Sequence, residues 1–308
     1  MYLCSRFELD CMVHNIFKGL GIALITPFKE DGSVDYEALI RLVDYQLSNG
    51  ADFFCILATT GETPVLTPAE KQKIKDTIVD YVQGRVPILM GCGGYNTAAV
   101  VEELKNGDFR GIDGILSVCP YYNKPSQEGL YQHFKAIAAA TKLPVVLYNV
   151  PGRTGVNMQA ATTVRLARDC QNIVAIKEAS GSISQVAKLA SLTDGSLDIY
   201  SGNDDQIVPV CSLGGIGVIS VLANVAPRET HDMVMLCLEG NYEEAKKLQL
   251  RALPLVEQLF IEVNPIPAKA ALNMQGFNVG APRLPLTEMT DAHKKTLKEA
   301  MINFGCLQ

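Results

Sequence analysis

Short apolar runs recur along the chain at nearly regular spacing, and amphipathic segments separate them. The runs comprise residues 21–25, 53–58, 86–92, 114–119, 145–150, 173–177, 197–202 and 217–222. Each run suits a buried strand, and the segments between the runs have the apolar spacing of helices. Strands that alternate with helices are typical of a parallel sheet, and eight such units over about 200 residues predict a closed (β/α)8 TIM barrel of the α/β class. A doubly wound open sheet is the alternative, but no GxGxxG motif follows the first strand.

After Asn224 the pattern becomes wholly helical, with Gly and Pro residues between the helical segments. These segments comprise residues 227–238, 242–260, 267–274 and 291–304. The sequence therefore predicts three parts. They are an N-terminal extension at residues 1–16 that fits no element of the repeat, a barrel at 17–225, and a C-terminal helical domain at 226–308.

Composition limits the partners of this chain. Of its 308 residues, 48% are hydrophobic and 19% are charged, which is typical of a globular protein. The formal net charge is −6 and no basic cluster is present, so we expect a small-molecule partner, and neither nucleic acid nor an anionic membrane surface. No apolar stretch reaches the roughly 20 residues of a membrane span. The nine cysteines form no CxxC pair, so we expect free thiols and a cytoplasmic protein.

Lys177 is the strongest candidate for chemistry, because it closes the apolar run at 173–177. Alternation along the strand predicts that Ile173, Ala175 and Lys177 share one face. Burial lowers the pKa of an amine, and a free amine can attack a carbonyl group. The structural alternative is a lysine whose amine reaches solvent from the strand end.

Tyr148 is predicted to lie close to this amine. It shares a strand face with Val146 in the run at 145–150. If that face is the barrel interior, Tyr148 on the fifth strand lies one strand, about 5 Å, from Lys177 on the sixth. A phenol beside an amine can exchange protons with a substrate bound there.

Two other strands also end in polar residues, at the end of a barrel where active sites lie. The second strand leads into Thr59-Thr60-Gly-Glu, whose backbone N–H groups could hold a carboxylate, although a helix cap explains the segment equally well. The fourth strand leads into Tyr121 and Tyr122, which are interpretable as catalytic, interface or packing residues. The four histidines, His14, His133, His231 and His293, are scattered and belong to no metal-ligand motif.

Six motifs occur together, in order, between about Phe17 and the C-terminus. They are Ala-Thr-Thr-Gly-Glu ending at Glu62, Pro-Tyr-Tyr-Asn ending at Asn123, Tyr-Asn-Val-Pro-Gly-Arg-Thr-Gly ending at Gly155, Ile-Lys-Glu-Ala ending at Ala179, Ser-Gly-Asn-Asp ending at Asp204, and Asn-Pro-Ile-Pro-Ala-Lys ending at Lys269. With these motifs the chain resembles the dihydrodipicolinate synthase/N-acetylneuraminate lyase family.

The resemblance implies a class I aldolase in which Lys177 forms a Schiff base with pyruvate, without a metal or other cofactor. It implies that Tyr148 transfers protons, that Thr59 hydrogen-bonds to Tyr148, and that Tyr122 reaches the site of a neighbouring subunit. The protein would then be a homo-oligomer, and a tetramer built as a dimer of dimers is expected.

The resemblance also assigns the binding of substrates. The backbone of Thr59 and Thr60 would hold the pyruvate carboxylate, and Arg153 would receive the carboxylate of L-aspartate 4-semialdehyde by a charge-assisted fork. Gly202 and Ile219 would add main-chain contacts. Asn264 and Lys269 also fit a family motif, and we interpret them as structural residues near the barrel mouth.

Two alternatives stay open within and beyond this family. One is another pyruvate-dependent Schiff-base aldolase such as an N-acetylneuraminate lyase, but those relatives usually lack an arginine at the position of Arg153. The other is a non-catalytic pyruvate-binding or regulatory oligomer. That hypothesis expects a broken set of site residues, whereas the residues assigned above are all present.

Feedback regulation is where the chain departs from the family pattern. Lysine-inhibited members bind the effector at a dimer interface, and here Asn96 and Tyr121 match that site. Lys71 instead places a positive charge there, and Val100 stands where a glutamate is expected. Because a cationic effector would meet like charge and lose its carboxylate partner, we predict weak or absent inhibition by L-lysine.

Overall fold

The barrel closes through eight parallel strands in chain order, in a computed structural model that describes residues 16–307. The strands are β1 (Gly19–Ala23), β2 (Phe53–Ile56), β3 (Ile88–Gly91), β4 (Gly114–Val118), β5 (Val145–Asn149), β6 (Ile173–Glu178), β7 (Asp198–Ser201) and β8 (Gly217–Ser220). Strand β8 returns to β1, with Ile219 opposite Gly21. The predicted (β/α)8 barrel is therefore confirmed. Residues 1–15, which make up most of the predicted extension, lie outside the described residues.

Helices connect the strands and continue beyond them. They are α1 (Tyr36–Ser48), α2 (Pro68–Val82), α3 (Thr97–Asn106), α4 (Gln127–Ala140), α5 (Pro151–Thr154), α6 (Ala160–Asp169), α7 (Ile183–Thr193), α8 (Ile207–Ser212), α9 (Pro227–Leu238), α10 (Tyr242–Leu259), α11 (Ile266–Met274) and α12 (Asp291–Phe304). Local sequence fixes several starts. Thr67 caps α2 in a reciprocal pair with Glu70, and the Ser182 side chain accepts a hydrogen bond from the N–H of Gln185 in α7.

Two short helices and one strand face differ from the sequence prediction. Helices α5 and α8 were not predicted, since one or two turns are too short to show a 3.6-residue period. The prediction that Ile173 shares a face with Lys177 is wrong. The pairing of β5 with β6 shifts between Val145 and Val146, so Ile173 packs in the outer core while Val174 and Ala175 pack in the barrel interior.

Apolar residues form two cores, one inside the barrel and one between the strands and the helices. The inner core is filled from alternate strand positions such as Phe53, Leu116 and Val146, so the barrel is packed below its mouth. The outer core continues into the C-terminal helices. Chemistry is therefore confined to the carboxyl-terminal ends of the strands.

The C-terminal helices pack beside the barrel and contribute to its mouth. Helix α9 follows β8 and packs against β1 and α8, which is the place of an eighth barrel helix. We propose that the appendage begins near Gly240 rather than at the predicted residue 226. The segments around Asn264 and Arg283 extend over the strand ends. Among the helices within residues 16–307, none has the length and apolar character needed to cross a membrane.

Candidate active site

A cavity of about 410 Å3 opens at the carboxyl-terminal ends of the strands. Its polar lining includes Thr59, Glu62, Tyr121, Tyr148, Arg153 and Asn264. These residues come from the end of β5, from segments that follow several strands and from the appendage, as expected for a barrel active site.

Lys177 and Tyr148 lie side by side inside the barrel, and Tyr148 lines this cavity. They are register partners across β6 and β5, and the lysine Nζ is 4.6 Å from the centre of the tyrosine ring. Only 5% of Lys177 and 6% of Tyr148 is exposed. No ion pair within residues 16–307 includes Lys177, and its amine instead lies over the aromatic face of Tyr148. An amine held in this way has no fixed counter-ion to release before it attacks a carbonyl.

Three ionisable groups lie around Lys177, and burial acts on the pKa of each of them. Burial raises the pKa of the Cys55 thiol to about 11 and raises the pKa of Tyr200 well above its ordinary value. Neither group is therefore an anion at neutral pH. Burial also raises the pKa of Asp204, while N–H groups of Val221 and Leu222 bind its carboxylate at 3.0 and 2.8 Å and oppose that rise.

Gly202 gives the lysine side chain its path. A Cβ atom at this position would lie 2.5 Å from Ala179 Cβ, which is too close, and 3.1 Å from Lys177 Cε, which is tight, so a glycine suits this position beside the lysine. The Gly202 N–H donates to the Glu178 carbonyl at 2.8 Å. Ile219 lies on β8 in the inner core and is 1% exposed.

The Thr59-Thr60 segment is a single 3-10 turn tied to the appendage. Thr60 is buried, and its Oγ1 accepts a hydrogen bond from Asn264 Nδ2 at 2.9 Å. Glu62 closes the turn in a left-handed conformation, and its carboxylate lies 2.6 Å from the buried amine of Lys269. These contacts agree with the structural role expected for Asn264 and Lys269, because both hold the loop that carries the threonines.

Arg153 lies at the cavity rim on the one-turn helix α5. Its guanidinium donates to the Asn264 carbonyl at 3.1 Å and is otherwise exposed. The remaining N–H groups can therefore receive a carboxylate from a substrate that enters the cavity.

Tyr121 and Tyr122 point to different surroundings. Tyr121 lines the cavity and packs edge-on against Tyr95, with ring centres 5.2 Å apart. Tyr122 is 88% exposed, has a φ of 70°, and is not among the residues that line the cavity of its own chain. The predicted role of Tyr122 thus requires a second subunit.

The predicted effector-site residues are only partly brought together. Lys71 lines an extension of the cavity, whereas Asn96 is exposed and caps α3 by accepting from the Ala99 N–H at 3.3 Å. Val100 is buried in the outer core. Sequence reasoning missed Glu103, one turn further along α3, which lines the cavity. Burial raises the pKa of the Cys92 thiol, and the Glu103 carboxylate raises it further. Its spacing of seven residues from Asn96 on one helix was the available signal.

The four histidines showed no metal-ligand motif in the sequence, and the structure allows the same question to be asked of side chains that are distant in the chain. Within the described part of the chain, no group of three or more His, Cys, Asp and Glu side chains is placed to hold a metal ion.

Comparison with known proteins agrees with this geometry. The model of the Dihydrodipicolinate synthetase family matches residues 16–303. A 4-hydroxy-tetrahydrodipicolinate synthase of Phocaeicola vulgatus is 56% identical over 89% of this chain and 93% of its own length. Another, of Caldicellulosiruptor saccharolyticus, is 53% identical over 94% of this chain and 98% of its own. The crystal structure of dihydrodipicolinate synthase from Thermotoga maritima has a TM-score of 0.93 and 42% identity over 95% of this chain and all of that one.

A barrel with a buried amine against a phenol at its carboxyl-terminal end is the arrangement expected of a lyase that works through a Schiff base. The match to the family model covers nearly the whole chain and therefore identifies the family. The chain belongs to the Dihydrodipicolinate synthetase family.

Proposed function

We propose that this chain is an enzyme that condenses pyruvate with L-aspartate 4-semialdehyde to give 4-hydroxy-tetrahydrodipicolinate, in the diaminopimelate route to L-lysine. The observation that carries the proposal is the buried Lys177 amine against Tyr148, which lines the same cavity as Arg153. The names of the relatives support the same reaction.

The chemistry begins at the amine of Lys177. It attacks the keto carbon of pyruvate and expels water, which leaves a protonated imine. The imine withdraws electrons, so a methyl proton leaves and an enamine forms. The enamine carbon then attacks the aldehyde carbon of the second substrate, whose oxygen takes up a proton. Attack of the second substrate's amino group on the imine carbon closes the ring and releases Lys177.

The neighbouring residues bind substrate and move protons in this scheme. Tyr148 accepts the methyl proton and returns one to the aldehyde oxygen, with Thr59 and the partner's Tyr122 completing the proton path. The N–H groups of the Thr59-Thr60 turn bind the pyruvate carboxylate. Arg153 binds the carboxylate of the aldehyde, which an N-acetylneuraminate lyase would not need.

The proposal also covers the oligomeric state of the enzyme and its cellular compartment. Because Tyr122 lies outside its own cavity, the enzyme is a homo-oligomer, and we favour a tetramer of two such dimers. Seven described cysteines are free thiols, which suits the reducing cytoplasm. Feedback by L-lysine is weak or absent, although Glu103 supplies a carboxylate to the cavity that Lys71 also lines.

A coupled assay tests this function. Pyruvate and L-aspartate 4-semialdehyde are supplied with a dihydrodipicolinate reductase and NADPH, and cleavage of N-acetylneuraminate is measured in parallel. We expect NADPH oxidation in the first assay and no pyruvate release in the second. Pyruvate release alone would show that Arg153 was misinterpreted, and silence in both assays would favour the non-catalytic hypothesis.

A further inference from the structure

Next to the reactive pair, strands β5 and β6 carry a second polar pair on their outer faces. Tyr148 is in register with Lys177, and the next residues, Asn149 and Glu178, are in register with each other. Because a strand alternates its faces, the first pair points into the barrel and the second points out. Asn149 is 0% exposed and Glu178 is 3% exposed, so neither is a solvated surface residue.

Glu178 is a buried carboxylate that only neutral groups bind. Asn149 Nδ2 lies 3.2 and 3.1 Å from its two oxygens. Gln185 Nε2 donates to it at 2.8 Å and the Ser180 N–H at 2.7 Å. No ion pair of residues 16–307 includes Glu178. A charge buried without a cation is costly, so an apolar residue would serve a purely structural role better.

Asn149 extends the contacts to the segment that leads into α6. Its Oδ1 accepts from the Met158 N–H at 2.9 Å, and its Nδ2 also donates to Asn157 Oδ1 at 2.7 Å. The pair therefore joins the ends of β5 and β6 to the chain before α6 and, through Gln185, to α7. The strand ends that carry Tyr148 and Lys177 cannot slide or twist past each other while these bonds hold.

We infer that Asn149 and Glu178 are positioning residues that set the placement of the Lys177 amine over the Tyr148 ring. This inference rests on the proposed reaction, because it assigns the pair no contact with substrate. A misplacement of 1 Å between reacting groups costs about 100-fold in rate, so a clamp one residue away is well placed to control it.

Swaps between acid and amide of the same size test the clamp, and only the double variant keeps the total formal charge of the pair. Glu178→Gln turns an amide toward the donors of Asn149 and Gln185, and Asn149→Asp sets two carboxylates against each other. The double variant Asn149→Asp/Glu178→Gln restores a donor opposite an acceptor. Each protein is assayed for kcat, for KM of pyruvate, for the rate at which borohydride traps the pyruvate adduct, and for its unfolding midpoint in urea.

Asn172 supplies the matched control. It lies just before β6 at the opposite end of the barrel, and its Nδ2 donates to the carbonyls of Ala138 and Thr141 at 3.0 and 3.1 Å. Asn172→Ala therefore removes part-buried hydrogen bonds at the start of β6 without touching the clamp. We expect it to lower the unfolding midpoint and to keep kcat and trapping within about twofold of the parent, because the reacting groups stay in place.

We expect each single clamp variant to lose about 10- to 100-fold in kcat and in trapping rate, with KM of pyruvate within about threefold, and the double variant to recover about tenfold. Trapping at the parental rate in both single variants would overturn the inference. If those variants do not fold, the variant Gln185→Met provides the test, because it removes the amide that donates to Glu178 from a half-buried position. A loss of about threefold or more in the trapping rate supports the clamp, and an unchanged trapping rate overturns it.

A parent protein that forms no pyruvate adduct would instead contradict the proposed function.

Discussion

The chain buries two lysines near the barrel mouth, and they are held in opposite ways. Lys269 lies in α11 with 1% exposure, 2.6 Å from the Glu62 carboxylate and 3.9 Å from the centre of the Phe28 ring. Lys177 is 5% exposed and lies against Tyr148 without an ion pair among the described residues. The paired lysine holds a loop, and the unpaired lysine is available for chemistry.

This difference shows what a family motif alone does not. Both lysines lie in motifs of the same family, and both are buried. Removing one partner of a buried ion pair strongly destabilises the folded protein, because the other charge stays buried without a partner. The effects of Lys269 and Glu62 on stability are therefore coupled. Lys177 has no such dependence, so its burial is better explained by function than by stability.

Lys177→Met should give the largest effect on activity. We expect turnover to fall by roughly 1,000-fold or more, because the nucleophile is gone. We also expect the free energy of unfolding to stay equal or to rise, since an apolar side chain replaces an amine without a carboxylate partner. Steady-state kinetics and urea unfolding measure both. If Lys177→Met were inactive because it unfolds readily, Lys177 would contribute to stability as Lys269 does, and the proposed difference between the two lysines would be contradicted.

Lys269→Met and Glu62→Gln should each destabilise the protein by about 3–5 kcal/mol, because each strands a buried partner. The double variant Glu62→Gln/Lys269→Met should be less destabilised than the sum of the two. A double-mutant cycle in urea measures this coupling. Additive losses would mean that the 2.6 Å contact contributes nothing specific.

Arg153→Ala sharpens the comparison at the rim. We expect kcat/KM for the aldehyde to fall about 10- to 100-fold, because a charge-assisted hydrogen bond contributes about 1.5–3 kcal/mol. The borohydride-trapped pyruvate adduct should be unchanged. Arg153→Lys is the control and should be intermediate, since it keeps the charge and loses the fork. A lost adduct in Arg153→Ala would place the arginine in the pyruvate step instead.

The pH dependence of Lys269 should give the smallest effect. Burial lowers its pKa to about 8, while the Glu62 carboxylate opposes that shift. Between pH 8 and the value of about 10.4 for an unfolded lysine, the unfolded chain binds more protons, so this group makes stability rise with pH. From pH 8 to 10 the unfolding free energy of the parent should gain about 2 kcal/mol relative to Lys269→Met. A constant difference would contradict the lowered pKa.

Much of this architecture follows from the sequence, because its signals are local. Alternation of strands and helices predicted the barrel, and alternation within β5 and β6 predicted the neighbourhood of Tyr148 and Lys177. The face of Ile173 was predicted wrongly, since a shift in pairing depends on two strands and leaves no trace in one.

Contacts between distant parts of the chain could not be predicted in this way. The Asn264 bond to Thr60 joins residues 204 positions apart, and the Glu62 pair with Lys269 likewise joins the barrel to the appendage. Their residue types were visible in the sequence, but which carboxylate meets which amine depends on the packing of α11 over the mouth. The spacing of Glu103 from Asn96 was visible in the sequence, but which face of α3 lines the cavity is set by the fold.

Mapping the pyruvate adduct onto the chain tests the central claim most directly. The protein is incubated with pyruvate, reduced with borohydride and digested, and the modified peptide is identified by mass spectrometry in the parent and in Lys177→Met. We predict a single adduct on Lys177 in the parent and none in the variant. An adduct on Lys269, or one that persists in Lys177→Met, would contradict the distinction between the two buried lysines.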